Sequence, residues 1–184
     1  MPLILPGNVA SAAPTAYSIA NSCRFNSLDS AYLVRTLGTP TNNDRWTFSC
    51  WVKRGLMGAN AYLLTGASNG TNYTEIHFQN TDTFRFGDYQ GSITGELITS
   101  RLFRDPCAWY HLMIVYDSAN GTAGDRIKMY VNGVEETAFA TDTNPSSGQD
   151  SMINSAVSHT IGSNVAEGGS VEFDGYMAEV ILLD

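Results

Sequence analysis

The sequence predicts an all-β protein, a two-layer antiparallel β-sandwich preceded by an extended N-terminal arm. Four observations carry this reading. From Ile19 onward, short apolar segments alternate with polar turns at spacings of roughly 8 to 12 residues, the rhythm of a sandwich or barrel. No segment sustains a helical period over three turns. The 17 Gly, together with abundant Ser, Thr and Asn, favour turns and strands, because short polar side chains compete with helical hydrogen bonds. The strongest local turn signal, Asn132-Gly133, lies between two alternating segments.

The elements follow in order. Residues 1–18 hold Pro2, Pro6 and Pro14, which lack the N–H a strand ladder needs, so they read as an extended arm that docks elsewhere, the alternative being a disordered terminus. Residues 19–184 show no internal repeat and no linker, and read as one domain. The clearest strand is 46–53, where period two puts Trp46, Phe48, Cys50 and Val52 on a core face and Thr47, Ser49, Trp51 and Lys53 on the other. Residues 109–117 are apolar on both faces, as expected in the middle of a sandwich, and His111 within them reads as structural. A hairpin turns at Asn132-Gly133, with Ile127, Met129 and Val131 opposite Lys128 and Tyr130. The polar stretch 141–150 is expected to be a long loop. A short strand at His159-Thr160-Ile161 ends at Gly162, and 173–183 is expected to be a buried strand. The glycines at 66, 70, 87, 91 and 95 are expected at hairpin turns.

Composition excludes several functions. With 10 basic against 18 acidic residues the formal net charge is -8, and Lys53 and Lys128 are the only lysines, so no basic stripe is available to track phosphates. The same acidity disfavours an anionic membrane surface. No stretch approaches the roughly 20 apolar residues that span a bilayer, and the first residues lack the basic region of a secretory signal. Cys23, Cys50 and Cys107 form no CxxC pair and no cluster with histidine, so three buried thiols are expected. No G-x-S-x-G elbow and no phosphate-binding glycine loop occurs.

Five segments in fixed order carry a family resemblance: 46–53, Trp109-Tyr110-His111 through Asp117, Met129 through Gly133, the Ile161-Gly162 corner, and 173–180. In that order and spacing they resemble the laminin-G-like, or concanavalin A-like, jelly-roll domain. The resemblance implies two stacked antiparallel sheets with the terminal strands side by side in the middle of one. The opening Leu3 to Ala10, and Phe103-Arg104-Asp105-Pro106 followed by Trp109, are similar to virion-associated proteins of tailed bacteriophages that carry this domain. That narrower resemblance implies a non-enzymatic virion component, a tail fibre or decoration protein assembled in the host cytoplasm. In it the arm docks on other virion proteins, the chain forms a homo-oligomer, and the jelly roll contacts host glycans. The alternatives are a free lectin-like module and, less favoured, a glycoside hydrolase.

Function must still be argued from sites. Sugars are held by aromatic faces beside short amide, hydroxyl and carboxylate groups. The alternating polar and aromatic residues of 60–95, with one ring of the first strong strand, nominate Trp51, Tyr62, Tyr73, His77 and Tyr89 for glycan contact. The competing role of these rings is to fill the space between sheets. Relatives of the laminin-G and lectin type often bind calcium through loop oxygens, which nominates Asp142, Asn144, Asp150 and Asn154. Glu172-Phe173-Asp174 begins the carboxylate pattern of laminarinase-type hydrolases. The next acid, Glu179, stands five residues beyond Asp174, which on a strand without a bulge sends it to the other face. Glu172 and Asp174 therefore read as a turn before the last strand, and no cofactor beyond calcium is expected.

Overall fold

The computed structural model describes residues 19–184, so the arm expected at 1–18 lies outside the described residues. Strands β1 (Cys23–Phe25), β2 (Leu33–Thr36), β3 (Arg45–Arg54) and β4 (Ala61–Asn69) come first. They are followed by β5 (Asn72–Phe78), β6 (Thr83–Gln90), β7 (Ile93–Leu102) and β8 (Tyr110–Asp117). The rest are β9 (Ile127–Val131), β10 (Val134–Glu135), β11 (Phe139–Thr143), β12 (Ser158–Ile161) and β13 (Gly175–Leu183). A six-stranded sheet runs β1-β13-β3-β8-β9-β10 and a seven-stranded sheet runs β11-β7-β6-β5-β4-β12-β2. Every strand pair is antiparallel.

The period-two pattern decides which residues meet between the sheets. Trp46, Phe48, Cys50 and Val52 of β3 and Leu112, Ile114 and Tyr116 of β8 face Ile76, Phe78, Phe84 and Phe86 of β5 and β6, all buried. Large rings supply most of the apolar burial, and Trp46 stacks on Tyr116 with centroids 5.3 Å apart. The Trp46 indole N–H donates to Ser151 Oγ at 2.7 Å, so even this core ring has a polar partner. The hairpin turn forms as expected, with φ of 52° at Asn132 and 78° at Gly133, the double positive φ of a type I′ turn.

Several expectations are corrected. Cys50 is buried, and desolvation pushes its thiol up to about 12, but Cys23 and Cys107 are exposed. Cys23 lies on the edge strand β1 and Cys107 in the turn before β8, so neither position is enclosed by a second layer. The stretch 141–150 is not wholly loop. Thr141 to Thr143 belong to β11, which satisfies the otherwise unpaired main chain of β7 with β-branched residues suited to a half-exposed edge. The terminal strands β1 and β13 do pair, but β1 forms the sheet edge instead of lying in its middle. The outward residues of β13 are not all buried: Ala178 is, but Tyr176, Ile181 and Leu183 are exposed. Gly66, Gly87 and Gly95 stand inside strands, not at turns.

Candidate functional site

The outer face of the seven-stranded sheet gathers four of the five nominated rings. Because β5 and β6 send Ile76, Phe78, Phe84 and Phe86 inward, the alternate residues must point away from the core. Cross-strand register then orders them in rows. Tyr62, His77, Arg85 and Ile98 form one row, Thr65, Glu75, Gly87 and Glu96 the next, and Ala67, Tyr73, Tyr89 and Ile93 the third. Within the first row Tyr62 and His77 stack with centroids 4.5 Å apart. Within the third Tyr73 and Tyr89 stack at 5.3 Å and 16°.

A charged trio separates the two ring pairs. Arg85 Nε donates to Glu96 Oε1 at 2.7 Å while its Nη1 pairs with Glu75 Oε1. The bare Gly87 makes room for this: a Cβ there would stand 2.8 Å from the Arg85 guanidinium carbon. Both carboxylates are spent on one cation. Around the 3-10 turn Val165–Glu167, Asn164 Nδ2 donates to Glu167 Oε1 at 2.6 Å. Burial, with a further push from the Glu167 carboxylate, raises the Tyr62 phenol to about 12 and lifts Tyr73 in the same direction. Burial in turn raises the Glu167 carboxyl.

Exposure divides the nominated residues. Tyr62 and His77 are 7% and 3% exposed and serve as packing, whereas Tyr73 and Tyr89 are half-buried and present a ring surface. Desolvation lowers the His77 imidazole to about 3, and its Nδ1 has no hydrogen-bond partner among the described residues. Trp51 is on the opposite outer face, in the six-stranded sheet, with its ring 5.1 Å from His111. The residues that the sequence reading passed over are Glu75, Arg85, Glu96, Asn164 and Glu167. Glu75 alternates with Tyr73 and His77, and Arg85 with Tyr89, so period two carried a trace of them, but only the β5–β6–β7 register shows that they meet.

The four loop residues nominated for calcium fall into separate networks. Asn144 Nδ2 donates to Asp142 Oδ1 at 2.8 Å, Asn154 Nδ2 donates to Asn42 O and Asp184 Oδ1, and the Asp150 carbonyl accepts from Gln90. Among the described residues no group of three or more His, Cys, Asp or Glu side chains is placed to hold a metal ion. Asp174 Oδ2 accepts weakly from the N–H and hydroxyl of Ser27 at 3.5 and 3.4 Å, and Glu172 forms a bridge with Ser163. Strand β13 does carry an irregularity between Ala178 and Ile181, with Glu179 at a φ of 49°.

Solved structures share this architecture at low identity. Mouse laminin α1 chain, domains LG4-5, matches with a TM-score of 0.64 at 15% identity over 93% of this chain and 44% of its own length. The heptameric SAP-like pentraxin of Limulus polyphemus matches at 0.58 and 18%, covering 82% of this chain and 68% of that one. The CBM40 of Ruminococcus gnavus IT-sialidase, bound to α2,3 sialyllactose, matches at 0.53 and 14%, covering 74% and 75%. The chain thus spans less than half of the laminin pair. No curated protein sequence matches it significantly. The model of a laminin-G family described as the concanavalin A-like lectin/glucanases superfamily matches residues 28–184, in keeping with the two-sheet sandwich, and the chain belongs to that family.

Proposed function

We propose that the chain is a non-enzymatic carbohydrate-binding domain whose ligand stacks on the Tyr73–Tyr89 pair. The observation that carries this reading is the half-exposed, near-parallel ring pair beside the fixed polar groups Arg85, Glu96 and Glu167. Sugar C–H faces pack on such rings, and rigid charged neighbours orient hydroxyls at little entropic cost. Glu75, Glu96 and Glu167 outnumber Arg85, so this platform favours an uncharged saccharide. The resemblance of the opening segment to virion-associated proteins supports a fuller form. In it residues 1–18 dock on a neighbouring virion protein, and repeated copies present the platform to host glycans with gained avidity.

A glycan array followed by titration calorimetry tests the first part. Tyr73→Ala and Tyr89→Ala are each expected to weaken binding roughly fivefold, about 1 kcal/mol per ring, with the fold intact by circular dichroism. Unchanged affinity in both variants refutes the platform. Release of reducing ends by the wild type, lost on replacing Glu172 and Asp174, would refute the non-enzymatic reading. Removal of residues 1–18 is expected to abolish incorporation into particles while the sandwich remains folded; normal incorporation refutes the docking role.

A further inference from the structure

The outer face of the six-stranded sheet holds a second, differently charged surface. Since β3 sends Trp46, Phe48, Cys50 and Val52 inward, Lys53 and Trp51 face outward. Register places Arg24 of β1 opposite Tyr176 of β13, and Tyr176 opposite Lys53 of β3. The row therefore reads Arg24, Tyr176, Lys53, with the two cations two strand spacings apart, roughly 10 Å. The Trp109 ring lies 6.4 Å from Tyr176, and both are more than one-third exposed. Lys128, opposite Val115, lies on the same outer face, so this sheet gathers both lysines of the chain.

Charge balance separates these cations. Arg45 pairs with Asp117, and Lys128 with Asp125 and Glu135. The remaining ion pairs among the described residues leave out Arg24, Lys53, Arg35 and Arg126, of which Arg35 lies on β2 in the other sheet and Arg126 donates to the Asn120 and Pro145 carbonyls. Residues 1–18 contain no Asp or Glu that could neutralise them. A chain with a net charge of -8 thus holds two cations outside any ion pair of the described residues, on either side of an exposed tyrosine.

We propose that this face binds an acidic polysaccharide, with sugar rings stacked on Tyr176 and Trp109 and carboxylate or sulfate groups reaching Arg24 and Lys53. An extended acidic peptide gains its affinity from main-chain pairing at a free sheet edge. Arg24 stands on the edge strand β1, but Tyr176 and Lys53 stand on β13 and β3, whose main chains are already paired on both sides, so a peptide added at that edge does not reach them through its main chain and the anchoring on this row must come from ring faces and charges. This surface lies on the opposite outer face from the Tyr73–Tyr89 platform and does not depend on it.

The test measures binding of the full chain to polygalacturonate and dextran sulfate, with uncharged dextran and polyglutamate as comparisons, at about 50 and about 200 mM salt. The wild type is expected to bind both acidic polysaccharides and to lose affinity as salt rises. Arg24→Gln with Lys53→Gln is expected to weaken both roughly tenfold or more and to lower the log–log salt slope by about two, one per charge. Tyr176→Ala is expected to weaken polygalacturonate roughly fivefold without changing dextran. Wild-type affinity in the double variant, or no binding by the wild type, overturns the proposal. Polyglutamate binding as tight as the polysaccharides, with the same dependence on Tyr176, overturns it in favour of an acidic peptide.

Discussion

Replacing His77 by phenylalanine is expected to remove a pH dependence of stability of about 1.4 kcal/mol per pH unit on the acid side of neutrality. His77 is 3% exposed against Tyr62, and burial lowers it from its ordinary 6.5 to about 3. The Glu75 carboxylate, 3.8 Å away, does not hold the imidazolium, because it is engaged by Arg85. Above about pH 6.5 the imidazole is neutral in the folded and unfolded chains alike, and its contribution is constant. Below it the unfolded chain takes up a proton that the folded chain refuses, so stability falls with pH until the folded ring also titrates near pH 3. Two pH units below 6.5 the loss reaches about 2.7 kcal/mol, a large share of the roughly 5–15 kcal/mol that holds a domain folded. Phenylalanine retains the stacking surface and cannot titrate. Urea unfolding of both proteins at half-unit steps, followed by tryptophan fluorescence, gives a difference curve in which shifted groups common to both, such as His159 and Asp88, cancel. Wild-type and variant curves that run parallel between pH 6.5 and 4.5 would refute a buried neutral His77.

Other outcomes follow from burial and geometry. Arg54 has a 0% exposed side chain and is held by Asp82 Oδ1 at 3.1 Å and the Phe103 carbonyl at 2.6 Å, with its guanidinium over Phe78. Asp82→Ala strands that cation and is expected to cost about 3–5 kcal/mol in urea unfolding, while Arg104→Ala, removing the exposed partner of the same carboxylate, costs at most about 1 kcal/mol. A cost for Asp82→Ala as small as that of Arg104→Ala would show that the buried pair is solvated. A thiol reagent is expected to label Cys23 and Cys107 in the native protein and Cys50 only after unfolding; rapid labelling of Cys50 contradicts its burial. Gly87→Ala displaces the flexible end of Arg85 and is expected to change stability by less than about 1 kcal/mol. Its glycan affinity is expected to fall measurably in calorimetry, and unchanged affinity would show that Arg85 does not orient the ligand.

Much of the fold is legible in the sequence because its information is local. Period two in 46–53 separates Trp46, Phe48, Cys50 and Val52 from Trp51 and Lys53 without reference to any partner strand, and that division holds in the structure. Asn132-Gly133 specifies a type I′ turn by backbone sterics alone. The ring pair at Tyr73 and Tyr89 was visible as two candidates, but not as a pair. Tyr62 carries the same alternating pattern and is nonetheless packed away, because the 3-10 turn at Val165–Glu167 leans on β4 from a segment about a hundred residues distant, and His77 is buried with its ring stacked on Tyr62.

What the tertiary structure alone decided is which outward residues become neighbours. Arg85 finds Glu75 and Glu96 only through the register of three strands, and Gly87 matters only because that guanidinium crosses it. Chain-wide acidity is a sum, blind to position, and it excluded a basic surface. Pairing the first described strand with the last, and the last with the third, places Arg24 beside Tyr176 and Lys53, with both cations outside any ion pair of the described residues. Composition and alternation act residue by residue, whereas strand order is settled by long-range packing of the two layers, so the faces were written in the sequence and their neighbours were not.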